Sequence, residues 1–520
     1  MNFLKSMNGL LKRTEDRLHA KGEAFWILTS AALSFVFLLI ASKSSPIYPM
    51  NDWVDMHCFF TVGRGWHEGM IPYRDLVEQK GPLLYAAYAL IAAISSGSFV
   101  GVFALEVVTF ALFLWLSSKI LRMAVNTPAL ISIGLIMMTA CIVLSRAFCH
   151  GGSLEETTMF LPMYSLYAIL RAQKEKRLLL SREALIHGVC AGICLMTKYT
   201  ICGFYLGLAL AVALWYLLAK EGRVLLNVIG SFLSGVFLVV GITALYFAAN
   251  GALDDLWKCY FYNNIFVYTG SEEKKTLLQA VWSAVSQAGQ GLALRFGENK
   301  TFAALIVGGL GWLGICGKGK VFSLATVLLS MACLAFTTFF TGWSCTYYLM
   351  ILAPFCVFGT AAMISAVEYI LRGRSAAALI RHGLIGALLL FSLITVYRKS
   401  DNTYLIRYER EEMPQYRFAE TIKSKEDPTL LNFDFLDGGF YYTSGAKPAD
   451  AYFCALMANI PGMREAQRAC IENGKADFVV TQNRKLSDYP WIDSSLYEMV
   501  DEASFRFEDD VPIYYLYQKK

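Results

Sequence analysis

Residues 51–82 of the chain read NDWVDMHCFFTVGRGWHEGMIPYRDLVEQKGP. This stretch is much more polar than the apolar runs on either side of it, and it holds two clusters of carboxylates and a terminal Lys-Gly-Pro. It follows directly on the first apolar run that is long enough to cross a bilayer. We therefore expect it to be an extramembrane loop that holds any chemistry, with the rest of the chain as its frame.

The composition is that of a membrane protein with many spans. Of 520 residues, 56% are hydrophobic and only 17% are charged, which is too apolar for an ordinary soluble enzyme. The net charge of +5 is small, and in a membrane protein such a balance reflects Lys and Arg in cytoplasmic loops. Because no RNA-binding or DNA-binding motif accompanies it, we exclude nucleic acid as a partner.

The apolar runs predict an all-α polytopic membrane domain over 23–398, preceded by a basic cytoplasmic leader at 1–22. Basic residues recur in alternate loops between these runs, so those loops are expected in the cytoplasm and the remaining ones outside, including 43–98. The basic clusters are Lys119/Arg122, Arg171/Lys174/Lys176/Arg177/Arg182, Lys220/Arg223, Lys318/Lys320 and Arg372/Arg374. The eleven expected spans are 24–41, 100–118, 127–145, 157–170, 184–201, 203–219, 224–249, 302–316, 321–340, 346–371 and 380–397.

One further apolar run, Leu83–Ile94, would reverse this alternation if it crossed the membrane. We therefore interpret it as a short juxtamembrane helix that begins at Pro82, a favoured residue for the first position of a helix. The C-terminus is then extracytoplasmic.

After Tyr397 the sequence becomes polar, and 399–520 is expected to form a small extracytoplasmic α/β domain. Helices are predicted near 411–425 and 461–473, strands at 429–433, 478–481 and 513–517, and a turn at Asp437-Gly-Gly.

The 13 cysteines lie mostly in apolar runs, and none has the spacing of a zinc site. Cys454 and Cys470 lie in the polar tail and could pair there, although sequence does not show whether they are close.

The loop at 51–82 holds the strongest candidate residues. A carboxylate such as Asp52 or Asp55, just after a span, is well placed to act as a base, with Asp55 the stronger candidate. Arg74, Asp75, Glu78 and Lys80 follow within seven residues. Such a cluster could bind a phosphate through its cations while its carboxylates orient those cations or a metal, although charge runs are more often solvated surfaces.

The pattern of this loop resembles the first extracytoplasmic loop of the GT-C glycosyltransferases, specifically the family 39 group. The resemblance lies in Asp55, Gly63, the run Gly69-x-x-Pro-Tyr-Arg-Asp-Leu and Glu78-x-Lys-Gly-Pro82. That group includes the protein O-mannosyltransferases and the aminoarabinose transferases that act on lipid A. Their Asp-Glu pair is absent here because Met56 follows Asp55, so their substrates are not carried over.

The resemblance implies a chemistry and roles for these residues. Asp55 would take the proton from an acceptor hydroxyl that attacks the anomeric carbon of a polyprenyl-phosphate sugar, with inversion, and Lys80 and Arg74 would stabilise the leaving phosphate. Relatives also keep an acidic residue where Glu155 and Glu156 stand, so these could orient the acceptor or a divalent cation. Alternatively, they are the favourable first-turn acids of a helix capped by Ser153.

Lys198 lies near the outward end of an expected span, where an ionisable group usually has a purpose. It could contact the lipid phosphate, or it could extend to the interface without a further role. A divalent cation is possible, but the carboxylates show no fixed ligand spacing.

The expected function is therefore a membrane glycosyltransferase, hexosyl or pentosyl, at the outer face of a bacterial cytoplasmic membrane. Its partners would be the lipid-linked sugar, membrane lipids and a cell-envelope glycan, glycolipid or protein as acceptor. A lipid-linked-sugar flippase is the main rival, but such a protein should place polar groups near the middle of its spans. A catalytically inactive scaffold of the same fold is a third possibility.

Overall fold

The computed structural model describes residues 22–267, 276–316, 321–372, 377–456, 460–506 and 510–520. The basic leader expected at 1–22 lies outside these residues except for Gly22, and so do Lys318, Lys320 and Arg374. The α-helices are α1 (Gly22–Ala41), α2 (Val54–His67), α3 (Pro82–Ile94), α4 (Val100–Ala124), α5 (Pro128–Val143), α6 (Leu154–Thr158), α7 (Phe160–Lys174), α8 (Ser181–Leu195), α9 (Cys202–Leu218), α10 (Gly222–Ala249), α11 (Leu253–Leu256), α12 (Leu277–Glu298), α13 (Lys300–Cys316), α14 (Val321–Phe339), α15 (Cys356–Leu371), α16 (Ala377–Lys399), α17 (Pro414–Ile422), α18 (Phe440–Ser444) and α19 (Met463–Glu472).

Shorter helical segments of other types connect these elements. A π-helix follows α11 at Trp257–Val267, and a 3₁₀ helix, Thr346–Phe355, leads directly into α15. Further 3₁₀ turns are Arg146–Phe148, Tyr199–Ile201, Thr403–Arg407, Arg410–Glu412 and Leu486–Asp488.

Each of the eleven apolar runs contains a helix. Within the described residues, seven helices are long and apolar enough to cross a membrane. Two others, Pro128–Val143 and Lys300–Ile315, are apolar but shorter, and α7 and α8 have 15 residues each. A polytopic helical membrane protein is confirmed, while the number of eleven spans stays a prediction.

The helix expected at Pro82 is present. It begins after Gly81, which has an extended backbone, and Pro82 stands in its first turn. Its 13 residues rise about 20 Å, well short of the roughly 30 Å of a bilayer core. The prediction of a short helix is therefore confirmed, and its place beside the membrane remains a prediction.

The chain divides into two compact units. The first is here called the helical unit. It comprises the described residues within three ranges: Met1–Ser45, Phe103–Val239 and Lys275–Thr403. In its core, α9 lies so close to α14 that a Cβ on Gly207 would stand 2.2 Å from the Leu329 carbonyl oxygen. Small residues at such positions let membrane helices approach closely, so this contact requires glycine.

The second unit, here called the mixed unit, combines the first loop with the C-terminal tail. It comprises the described residues of Pro46–Val102, Val240–Lys274 and Tyr404–Lys520. Its sheet has the order β2-β1-β3-β5-β4, in which β1 is parallel to β2 and β3, and β5 is antiparallel to β3 and β4. The strands are β1 (Thr429–Phe433), β2 (Lys447–Pro448), β3 (Phe478–Gln482), β4 (Tyr497–Ser504) and β5 (Ile513–Lys519).

The small α/β domain expected from sequence is therefore present, with predicted strands at β1, β3 and β5 and predicted helices at α17 and α19. Strand β4 was not predicted. It is an edge strand, YEMVDEAS, whose side chains are mostly exposed, so it lacks the apolar alternation by which half-buried strands are recognised.

Helix α2 is anchored to the C-terminal tail within the mixed unit. The Arg64 guanidinium, 5% exposed, donates hydrogen bonds to the carbonyl oxygens of Tyr441 at 2.9 Å and Ala446 at 2.6 Å. One helical turn earlier, the Thr61 hydroxyl donates to the Asp437 carboxylate at 2.6 Å. Since residues three or four apart share a helix face, one face of α2 holds both contacts.

We expect Arg64→Ala to lower the free energy of unfolding by about 1–3 kcal/mol, because it removes both hydrogen bonds of a buried guanidinium and leaves the buried Ala446 carbonyl without its donor, whereas the Tyr441 carbonyl keeps the Gly445 N–H at 3.0 Å. The thermal unfolding midpoint of the full-length protein in detergent measures this. Arg417→Ala is the matched control, since that guanidinium pairs with Asp501 but is 56% exposed, and its loss should change stability by no more than about 0.5 kcal/mol. Equal shifts for the two variants would contradict the anchoring role.

Candidate active site

Asp55 lies in the first turn of α2 and faces Lys80. Its Oδ2 atom is 3.8 Å from the Lys80 Nζ atom, and the two side chains are 18% and 17% exposed. The turn that starts this helix is shaped by Asn51, whose Oδ1 atom accepts a hydrogen bond from the Trp53 backbone N–H at 3.0 Å. A carboxylate and an ammonium group that remain partly open to solvent are thus brought together across 25 residues of chain.

The backbone of Lys80 is held from both sides. Its N–H group donates to Glu78 Oε2 at 2.9 Å and to the Tyr85 hydroxyl oxygen at 3.0 Å, and Tyr85 itself donates to Glu78. Its carbonyl oxygen accepts from the Tyr73 hydroxyl at 2.7 Å. The run from Pro72 to Pro82 therefore works as a scaffold that holds the Lys80 backbone in place.

Tyr73 adopts a strained conformation to make that contact. Its φ of 72° lies in the left-handed region, which a bulky side chain rarely occupies. The ring is 2% exposed and packs against Tyr85 and Phe247. A strained backbone of this kind is maintained only where many surrounding contacts fix the conformation, and such positions are concentrated at functional sites.

Glu78 is a buried structural acid in this arrangement. Burial raises the pKa of its carboxyl group, and the nearby positive charge of Lys80 partly offsets that effect. Its position under the Lys80 backbone favours support of that residue over direct contact with a substrate.

Arg74 and Asp75 form an exposed pair in the same loop. The guanidinium donates two hydrogen bonds of 2.8 Å to the Asp75 carboxylate and one of 3.1 Å to the Asn250 carbonyl oxygen. Asp75 also accepts from the Ile71 N–H at 2.7 Å. The Arg74 hydrogen bonds lower the pKa of Asp75, so this carboxylate is ionised and holds the turn together.

In the helical unit, Lys198 and Glu155 are partners. The Lys198 ammonium donates to Glu155 Oε1 and lies 3.8 Å from the centre of the Tyr348 ring. Glu155 is 1% exposed, and Lys198 lies just after α8, at an extended backbone position that precedes the 3₁₀ turn Tyr199–Ile201. The two residues are 43 positions apart, and their pairing was not predicted from the sequence.

Glu156 is directed to another partner. Ser153 caps α6 through a hydrogen bond from the Glu156 N–H at 3.3 Å, as the capping alternative expected, and the Glu156 carboxylate accepts from the Gly152 N–H at 2.9 Å. Burial and the neighbouring Glu106 carboxylate raise the pKa of Glu156 well above its ordinary value of 4.5. Glu106, which accepts from the Ser42 hydroxyl at 2.5 Å, was overlooked in the sequence although a lone acid within an apolar run signals a functional or paired group.

The Asp437-Gly-Gly turn of the mixed unit contributes a second buried carboxylate. Asp437 is fully buried and accepts hydrogen bonds from Thr61, from the Asn432 side chain at 3.1 Å and from the Gly439 N–H at 2.9 Å. Burial raises its pKa from 3.8 to about 6, against the lowering effect of these donors. The sequence indicated only a turn here, because nothing local shows that the tail meets α2.

We expect Asp437 to make stability fall as the pH rises from about 4 to about 6. The folded protein holds this proton more tightly than the unfolded chain, so the stabilisation is complete below pH 4 and is lost as pH passes 6. The rise of the Asp437 pKa from 3.8 to about 6 corresponds to a loss of roughly 3 kcal/mol in the free energy of unfolding over this pH range. The measurement is the thermal unfolding midpoint of the wild type and of Asp437→Asn at pH 4.5 and at pH 7.5. Between these two pH values, the midpoint of the wild type should fall by a few degrees more than that of the variant. A constant difference between the two proteins over that range would contradict this assignment.

Among the described residues, no group of three or more His, Cys, Asp or Glu side chains lies close enough together to hold a metal ion. A divalent cation would therefore need ligands from a substrate, such as phosphate oxygens, beside one or two carboxylates of the protein.

No family model and no curated protein sequence matches the chain. Among solved structures, the chain is similar to ArnT from Cupriavidus metallidurans bound to undecaprenyl phosphate, with a TM-score of 0.60, 9% identity, and coverage of 95% of this chain and 97% of that one. It is likewise similar to the apo state of the same ArnT, with a TM-score of 0.56, 12% identity and the same coverage. At such identity the similarity shows the fold alone: the chain has the fold of these ArnT structures, which confirms the expected polytopic helical membrane fold with a small C-terminal sheet.

Proposed function

We propose that this chain, which has the fold of ArnT, is a membrane glycosyltransferase that moves a sugar from a polyprenyl-phosphate donor to an acceptor of the cell envelope. Support for the lipid-linked donor comes from the fold shared with a protein solved with undecaprenyl phosphate bound. Support for the reaction comes from one observation above all, the Asp55 carboxylate 3.8 Å from the Lys80 ammonium in a partly open site.

In the proposed reaction, Asp55 is the general base. Its carboxylate removes the proton of an acceptor hydroxyl as that oxygen attacks the anomeric carbon of the sugar. The bond between the anomeric carbon and the phosphate oxygen breaks on the opposite face, so the configuration inverts and polyprenyl phosphate leaves with the electron pair. A positioned base of this kind contributes about 10²–10⁴ in rate.

Lys80 is the first choice for stabilising the charge that develops on the leaving phosphate. Its backbone is fixed by Glu78, Tyr85 and Tyr73, and its ammonium group faces the Asp55 carboxylate, which supports a preorganised positive charge of the kind that electrostatic stabilisation of a transition state requires. Arg74 is the second choice, because its guanidinium is already occupied by Asp75.

For the helical unit, we propose that Lys198 contacts a lipid phosphate and that Glu155 orients the Lys198 ammonium. The cation–π contact with Tyr348 and the bond to Glu155 hold this group in one place. Glu156 then supports the loop before α6 through Gly152, and the role of orienting an acceptor passes to residues not yet identified.

We place the reaction at the outer face of the cytoplasmic membrane, with the N-terminus in the cytoplasm and the C-terminal domain outside. The distribution of Lys and Arg between alternate loops supports this orientation. Labelling of single cysteines introduced at Ser181 and Ser424 with a membrane-impermeant thiol reagent tests this orientation. The reagent, added outside the cell, should label position 424 but not position 181.

The experiment that tests the function combines the purified protein, a panel of polyprenyl-phosphate sugars and an extract of cell-envelope acceptors. Sugar transfer, or slow hydrolysis of one donor, supports a glycosyltransferase and identifies the sugar. Movement of an intact donor across liposomes without cleavage would instead identify a transporter of lipid-linked sugars.

A further inference from the structure

Two buried cysteines of the mixed unit face each other. The Sγ atoms of Cys58 and Cys454 lie 3.8 Å apart, and each residue is 1% exposed. Cys58 lies one helical turn after Asp55 on α2, whereas Cys454 is 396 positions further along the chain. Cys470, the partner considered from sequence, instead packs in the core of the α/β domain with Leu431 and Val479.

The approach of the two sulfur atoms leaves no room for another atom between them. A disulfide bond has a sulfur–sulfur distance of about 2.05 Å, so closure requires the atoms to move together by roughly 1.7 Å. Contact with Cys454 and burial raise the pKa of the Cys58 thiol, and burial raises that of Cys454. Both thiols are therefore unreactive in the folded protein, and a bond between them would form while the chain folds.

The noncovalent contacts on either side agree with a cross-link at this point. His57, next to Cys58, packs so closely on Gly439 that a Cβ there would stand 2.8 Å from the imidazole ring. Thr61 and Arg64 continue the same helix face with their hydrogen bonds to Asp437, Tyr441 and Ala446. Cys58 and Cys454 lie within this interface.

We propose that Cys58 and Cys454 form a disulfide bond that joins the Asp55 helix covalently to the C-terminal domain. The two thiols lose two protons and two electrons, and the electrons pass by thiol–disulfide exchange to a disulfide-bearing oxidant outside the cytoplasm, which leaves as a dithiol. The proposal goes beyond the glycosyltransferase reaction and requires only that the mixed unit faces an oxidising compartment.

The direct test is peptide mapping of the full-length protein. Free thiols are blocked with N-ethylmaleimide at lysis, and the purified chain is digested without reduction. A linked pair of peptides that contain Cys58 and Cys454, and that separate on reduction, is the expected result. Recovery of both cysteines as N-ethylmaleimide adducts would overturn the proposal.

Stability provides a second readout that is independent of catalysis. A bond that closes so long a loop should make the unfolding midpoint of the wild type fall by about 5–10 °C when a reductant is added. Cys58→Ala, Cys454→Ala and the double variant should share one lowered midpoint that no longer responds to reductant. The matched control Cys470→Ala removes a buried thiol of the same domain and should keep the response. A wild-type midpoint unchanged by reductant after denaturation and refolding would overturn the proposal, whether or not sugar transfer is found.

Discussion

Asp55→Asn is expected to lower the rate of sugar transfer by about 10²–10⁴-fold. The amide has the size of the carboxylate but cannot accept the proton of the acceptor hydroxyl. The change also removes the ion pair with Lys80, but since both side chains are partly exposed, that loss should cost little stability. The variant should therefore fold normally and bind the donor while transferring almost no sugar.

The measurement is the rate of transfer at saturating donor, together with the unfolding midpoint. Asp254→Asn is the matched control, because it makes the same chemical change at an exposed carboxylate of the mixed unit and should keep full activity. Transfer by Asp55→Asn at more than about a tenth of the wild-type rate would assign the base to another residue.

Lys80→Met is the second large effect that we expect, a decrease of about 10²–10³-fold in kcat. The hydrogen bonds that hold residue 80 come from its backbone, so the substitution removes the ammonium group and leaves the scaffold of Glu78, Tyr85 and Tyr73 in place. Lys80→Arg keeps the positive charge and should recover part of the rate.

The ratio of kcat to KM effects distinguishes two roles for Lys80. Stabilisation of the leaving phosphate predicts a decrease mainly in kcat, whereas simple attraction of an anionic donor predicts mainly an increase in KM. Lys258→Met, at an exposed position of the mixed unit, is the control and should leave both constants unchanged. A normal kcat for Lys80→Met would show that Lys80 does not stabilise the transition state.

Much of the fold could be predicted from the sequence because its signals are local. Apolar runs predict helices, and a proline predicts the start of α3. Short segments rich in residues that favour strands predict β1, β3 and β5. The edge strand β4 could not be predicted in this way, because its exposed side chains carry no local apolar pattern.

For the candidate site, the sequence indicated which residues to consider but not how they are paired. It singled out Asp55 and Lys80, which belong to the same stretch of sequence, 51–82, and Lys198 and Glu155 as separate candidates. The ion pair between the latter two depends on how α6 and the segment after α8 pack in the helical unit, and no spacing along the chain encodes that.

A helical membrane protein with a polar first loop and a small α/β tail can be predicted from the residues alone, because apolar periodicity, clusters of charge and prolines each act over a few neighbouring residues. The contacts by which the tail holds the Asp55 helix, such as those of Thr61 with Asp437 and of Cys58 with Cys454, are visible only in the folded chain. These partners are almost 400 residues apart. Their meeting results from the burial of side chains from distant segments in one core, and each segment alone carries no sign of its partner.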